Sequence, residues 1–187
     1  MFDIMESEEK YLLGMLWKFG TIKPGTNQFV FQSYTKYGQM EYIRQRLAPD
    51  KEIKVSSRKD PRNGKEKTLY RLNFTNKEWA DKVRKFSGIN VSKIADINFV
   101  RGFLETKGDV CKNGNSKAYT ISGNKSEMDL ILRLINEYCN TNINKINVKD
   151  SGTTISCSFE NVSKMVFKFG KKNPNYWGEI LKKMSAD

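Results

Sequence analysis

One pattern written twice constrains this chain more than any other feature. Residues 11–20 read YLLGMLWKFG and residues 99–108 read FVRGFLETKG. Both are aromatic-x-x-Gly-(Met/Phe)-Leu-x-x-x-Gly, and the second copy follows the first at an offset of 88 residues. The same offset carries Met40 onto Met128 and Ile43 onto Ile131. A fixed period of this kind marks one supersecondary unit used again. A chain of 187 residues has room for one domain with a good core, or for two small ones packed together. We expect a first repeat over 1–88, a linker over 89–95 and a second repeat over 96–187.

Hydrophobic periodicity fills in each repeat. Residues 7–19 predict a helix with Leu12, Met15, Leu16 and Phe19 apolar, closed by Gly20. A hairpin follows around Pro24 and Gly25. Residues 38–47 predict a helix with Met40, Ile43 and Leu47 on one face. A second hairpin, 52–58 with 67–74, turns around Pro61, Asn63 and Gly64. Thr75 then reads as the cap of a helix over 76–86, with Glu78 three residues later. The order is αββαββα. The second half predicts a helix over 96–107 capped by Asp96, a hairpin at Asn113-Gly114-Asn115, a helix over 126–138, strands 145–149 and 153–159, and a helix over 161–169. An extra helix, 176–184, follows Pro174.

Composition narrows the function. Net charge is +12. Cut at residue 90, the first part holds 18 basic and 11 acidic residues and the second 15 and 10, so both are basic. Positive charge spread over a whole fold points to a polyanion, nucleic acid first. With no histidine, a Ser-His-Asp or Cys-His site is impossible. Cys111, Cys139 and Cys157 lack CxxC spacing, which argues against zinc. An acidic start without an apolar h-region, the odd cysteine count and the lack of a long apolar run predict a cytoplasmic protein with no membrane span.

LLGMLWKFG (12–20) and VRGFLETKG (100–108), with this doubled element order, resemble the single-chain LAGLIDADG homing endonucleases over nearly the whole chain. The resemblance implies an α+β fold. Two tandem αββαββα repeats would form a pseudo-twofold saddle of antiparallel sheets over double-stranded DNA, in a monomeric pseudo-dimer. It also implies that Gly14 and Gly102 lie where the two motif helices approach, since a residue without Cβ permits close contact. In that family the eighth motif position is an acid that shares divalent metal. Here the eighth positions are Phe19 and Lys107, and the sixth are Trp17 and Glu105. Magnesium wants oxygen ligands. We therefore expect no metal, no other cofactor and no endonuclease activity. Glu105 reads as a helix cap or surface charge, and Asp109 as the one acid able to approach the site. Lys107 reads either as a clamp on phosphates or as a lysine extending from a helix end.

Strand parity selects the DNA-facing side chains. In the first repeat Ile53, Val55, Tyr70, Leu72 and Phe74 form the core set. Lys54, Ser56, Arg58, Lys67, Leu69 and Arg71 then face out, with Gln28, Val30 and Gln32 of the first hairpin and Lys23 beside them. Arg62 and Lys65 belong to a basic loop suited to flanking phosphates. In the second repeat the outer set is Ser116, Ala118, Thr120, Lys145, Asn147, Lys149, Thr154, Ser156 and Ser158. These residues predict a sequence-specific duplex binder, a transcriptional regulator or repressor of a phage or mobile element. An RNA-binding maturase, a magnesium nuclease with relocated acids and a phage-encoded inhibitor of another protein are the alternatives.

Overall fold

The computed structural model describes residues 6–59, 64–88, 95–113, 116–144, 146–149 and 152–186. The chain divides into two compact units, Met1–Ile94 and Ala95–Asp187. The first runs α1 (Ser7–Leu16), β1 (Thr21–Ile22), β2 (Gln28–Ser33), α2 (Tyr37–Leu47), β3 (Lys54–Lys59), β4 (Glu66–Thr75) and α3 (Lys77–Gly88). The second runs α4 (Ile97–Lys107), β5 (Asp109–Asn113), β6 (Ser116–Gly123), α5 (Lys125–Cys139), β7 (Ile146–Lys149), β8 (Gly152–Cys157), α6 (Phe159–Phe169) and α7 (Pro174–Ser185). Each unit is αββαββα, with α7 added to the second. The sheets are antiparallel, in the orders β1-β2-β4-β3 and β5-β6-β8-β7. Among the described residues no helix is long and apolar enough to cross a membrane.

In the first unit, alternation along β2 and β4 buries Phe29, Phe31, Leu72 and Phe74 on one face. The three phenylalanine rings stack at 5.1–6.0 Å between centroids. The β1–β2 connection is tight: Thr26 N donates to Lys23 O at 3.1 Å, and Gly25 takes φ 69° after Pro24. That is the pairing a type II turn requires. Two expectations need correction here. Asn76, not Thr75, caps α3: its Oδ1 accepts from Trp79 N at 3.1 Å. Val55 is 60% exposed rather than core, and Ile53 only half-buried, because β3 is an edge strand with every residue exposed. Tyr70, its β4 partner, is likewise only half-buried.

The second core gathers Tyr119, Ile121, Ile155 and Cys157 against Met128, Ile131 and Ile135 of α5, Val162, Met165 and Phe169 of α6, and Trp177 of α7. Asp96 caps α4 as expected, accepting from Asn98 N and Phe99 N at 2.8 and 3.1 Å. Ser158 is not an outward strand residue; it caps α6, accepting from Asn161 N. Asn136 organises the chain after α5. It bonds both backbone groups of Ile143 at 3.0 Å and takes the Thr141 hydroxyl at 2.7 Å.

Candidate nucleic-acid interface

Pairing register settles which side chains share a face. In the first sheet Gln32 pairs with Arg71, and Arg71 with Lys54. Ser56 pairs with Leu69, and Arg58 with Lys67. These seven residues, with Gln28 and Val30, lie on the face opposite the phenylalanine core. Gln32, Lys54, Ser56 and Arg58 are exposed; Gln28, Val30, Lys67 and Arg71 are half-buried. Leu69 departs from the expectation, since it is on this face by register yet 3% exposed. No acidic side chain shares these positions. Among the described residues Lys54, Arg58 and Arg71 enter no ion pair, and Arg71 Nε, shielded from solvent, has no hydrogen-bond partner. Lys23 is exposed in the turn after β1, and Lys65 is exposed beside Gly64. Arg62 lies outside the described residues.

The second sheet repeats the geometry with different chemistry. Asp109 pairs with Thr120 and Thr120 with Ser156; Ser122 pairs with Thr154 and Thr154 with Asn147. This face carries mainly hydroxyls, two of them joined: Ser122 Oγ and Thr154 Oγ1 are 2.8 Å apart. Ser116 and Asn147 are exposed, Thr120, Thr154 and Ser156 half-buried, and Ala118, expected outside, is buried. Lys149 pairs with Gly152 at the strand end. Lys145 lies outside the described residues.

The motif ends differ more. Helix α1 stops at Leu16, three residues before the expected end. Trp17 takes extended angles and Lys18 a left-handed φ of 68°, so Phe19 and Gly20 lie beyond the helix. The Phe19 ring meets Phe31 at 5.5 Å. Helix α4 continues through the eighth position to Lys107, which is half-buried. Its C-terminal carbonyls are then bound. Tyr119 Oη donates to Leu104 O at 2.7 Å, and Tyr176 Oη lies 3.3 Å from both Leu104 O and Gly108 O. Burial first, and then the neighbouring hydroxyl, hold the Tyr119 phenol well above its ordinary range; burial likewise raises Tyr176. Gly14 and Gly102 sit inside the stretches Tyr11–Trp17 and Phe99–Thr106, whose residues are all buried.

Glu105 is neither a cap nor a surface charge. It is 0% exposed. Oε1 accepts from Trp177 Nε1 at 3.1 Å and Oε2 from Asn173 Nδ2 at 2.6 Å, with Arg101 Nε 3.9 Å away. Those bonds tie α7 to the motif helix. Phe19 and Lys107 supply no oxygen, and Asp109, half-buried with Oδ1 accepting from Val110 N at 2.9 Å, remains alone in its unit. Among the described residues no three of His, Cys, Asp and Glu gather to hold an ion. The side chains at these two motif ends do not fit magnesium, which takes oxygen ligands.

A doubled αββαββα chain with two four-stranded antiparallel sheets defines a tandem-repeat α+β class. The fold is that of the LAGLIDADG homing endonucleases. The homing endonuclease I-WcaI bound to its DNA recognition sequence matches at TM-score 0.67 and 15% identity, over 95% of this chain and 87% of that one. The N-terminal LAGLIDADG domain of DUF199/WhiA matches at 0.58 and 14%, over 90% and 85%. I-DmoI in complex with DNA and Ca matches at 0.53 and 15%, over 88% and 90%. No protein-family model and no curated protein matches the sequence. The comparison corrects one expectation, that the chain is not an enzyme. Two of these three neighbours are homing endonucleases, and the donor set of each unit taken singly is no measure of activity.

Proposed function

We propose that this chain binds duplex DNA sequence-specifically through the polar faces of its two sheets, and acts as a regulator at its site. The observation that carries the reading is the first sheet. Register gathers Lys54, Arg58, Lys67 and Arg71 on one face with Gln32 and Ser56, without an acid and opposite the side that makes the core. Such a face offers charge to phosphates and flat donor groups to base edges. Lys23, Arg62 and Lys65 would add backbone contacts at its margin. In the second unit Thr120, Ser156 and Asn147 read bases with little charge, with Lys145 and Lys149 at the strand ends. Lys107 would reach phosphate from the end of α4. Gly14 and Gly102 are the positions where a second helix can approach each motif helix at least steric cost. Base stacking on RNA is disfavoured: no aromatic residue shares these two polar faces.

The test is repeated selection from a random duplex library, with and without magnesium, cleavage being scored in the same tubes. One enriched, non-palindromic sequence with salt-sensitive affinity is expected, because the two faces differ. A reporter carrying that sequence should respond to the protein. No enrichment from duplex DNA withdraws the reading.

A further inference from the structure

We infer that Arg71 is the base-reading residue of the first sheet and that it specifies a guanine in one half of the target. The inference rests on the duplex-binding reading and deepens it. Three side chains cross the sheet in one row: Gln32 on β2, Arg71 on β4 and Lys54 on β3. Strands lie about 4.8 Å apart, so the row spans roughly 10 Å, close to the width of the major groove of B-DNA, about 12 Å. The outer members of such a row lie toward the groove walls and the middle one over its floor. Arg71 is that middle member, since β4 has a strand on either side.

The state of Arg71 sets it apart from the two cations of the edge strand. Lys54 and Arg58 are exposed on an edge strand, free to follow phosphates. Arg71 is half-buried, and its Nε is shielded with no partner among the described residues. A shielded donor without an acceptor is costly, which sets this guanidinium apart from the solvated cations of the edge strand. A guanidinium over the groove floor meets guanine O6 and N7, two acceptors matched by its planar fork. Gln32, beside it in the row, has the pairing geometry for adenine at the neighbouring step. The second sheet has Ser156 where the first has Arg71, because Thr120 stands to Ser156 as Gln32 stands to Arg71. A guanine requirement of this kind is therefore confined to one half-site.

The experiment compares sequence preference and salt dependence for the wild type, Arg71→Lys, Arg71→Gln and Ser156→Ala, each checked for folding by circular dichroism. Arg71→Lys keeps the charge and loses the fork. It should erase a preference of about 10- to 100-fold for guanine at one position, with the salt slope unchanged. Ser156→Ala should leave that position intact. If Arg71→Lys keeps the guanine preference, the assignment is wrong. If Arg71→Gln weakens all sequences alike and lowers the salt slope by about one, Arg71 contacts phosphate and the assignment is also wrong. If the wild type enriches no duplex, the duplex-binding reading falls first and this inference with it.

Discussion

The two copies of the motif end in opposite ways. In the first, α1 unwinds after Leu16, and the sixth position is Trp17, buried edge-on against Phe86 at 5.9 Å. In the second, α4 keeps its helical path to Lys107, and the sixth position is Glu105, buried and bonded to the indole of Trp177. One unit fills the site with the indole of the residue that follows its own helix. The other places a carboxylate there and brings an indole and an amide on α7 to satisfy it. The added helix thus completes the second motif. Tyr176, one residue before Trp177, closes the carbonyls at the end of α4. A repeat can keep its backbone and exchange the chemistry of its buried positions only when a compensating element arrives with the change.

The largest test of that contrast is Glu105→Ala. It leaves the buried Trp177 indole and the half-buried Asn173 amide without their acceptor and removes the carboxylate 3.9 Å from Arg101, and should cost about 3–5 kcal/mol of second-unit stability, read by denaturant titration of Trp177 fluorescence. Unchanged stability would mean α7 is an ornament. Next come the ninth-position glycines. A Cβ at Gly108 would fall 1.9 Å from Tyr119 Oη, and one at Gly20 would fall 2.5 Å from the Phe31 ring. Phe31 and Tyr119 are themselves related by the 88-residue offset. Tyr119 is anchored by its bond to Leu104 O, whereas Phe31 has no polar anchor. Ala at either position should destabilise by about 1–3 kcal/mol, with Gly108→Ala the worse of the two by thermal melting.

A weaker asymmetry follows from titration. Burial pushes the Cys139 and Cys157 thiols up to about 12 and raises Tyr119 and Tyr176, all in the second unit. Each group resists losing its proton in the fold, while the unfolded thiols lose theirs from about 9. The stability they contribute is whole below pH 9 and declines as pH rises toward 12. The first unit has Lys82 on the alkaline side, its charged form favoured by Glu78 and Glu9 against burial. In alkaline titration Trp177 should report unfolding before Trp17 and Trp79. The order is checked with Trp177→Phe and with the Trp17→Phe/Trp79→Phe double variant.

Local signals were legible and distant ones were not. Each copy of the motif, the element order within each repeat and the Asp96 cap depend on residues a few positions apart, and the structure has the element order and the cap. The cap of α3 was misread because Thr75 and Asn76 can both accept the bond, and the nearer side chain takes it. Glu105 could not be read: its partners lie 68 and 72 residues away on a helix with no counterpart in the first copy. The aromatic clasp on the ninth glycine was within reach, since the repeat offset itself links Phe31 to Tyr119. Parity assigned residues to the two faces, Ser158 apart, but not their burial: Leu69 and Ala118 are buried and Val55 is exposed. Val55 has the right parity for the core but lies on the edge strand, 60% exposed.

The sheets supply the finest comparison. The first face has four cations at its register positions, and the second has hydroxyls, Asn147 and Asp109, with Lys149 at a strand end. Ionic contacts release counterions, and hydroxyl contacts do not. On the selected duplex, Lys54→Gln, Arg58→Gln and Lys67→Gln should each lower the salt slope by about one and weaken binding to matched and mismatched sequences alike. Thr120→Ala, Asn147→Ala and Ser156→Ala should leave the slope unchanged. Each should alter affinity by only a few-fold, because a single neutral hydrogen bond is worth about 0.5–1.5 kcal/mol. That loss should be confined to base pairs in the second half-site. Equal slope changes from both sets would mean that the two faces share the ionic work, and the asymmetry of the target would then need another source.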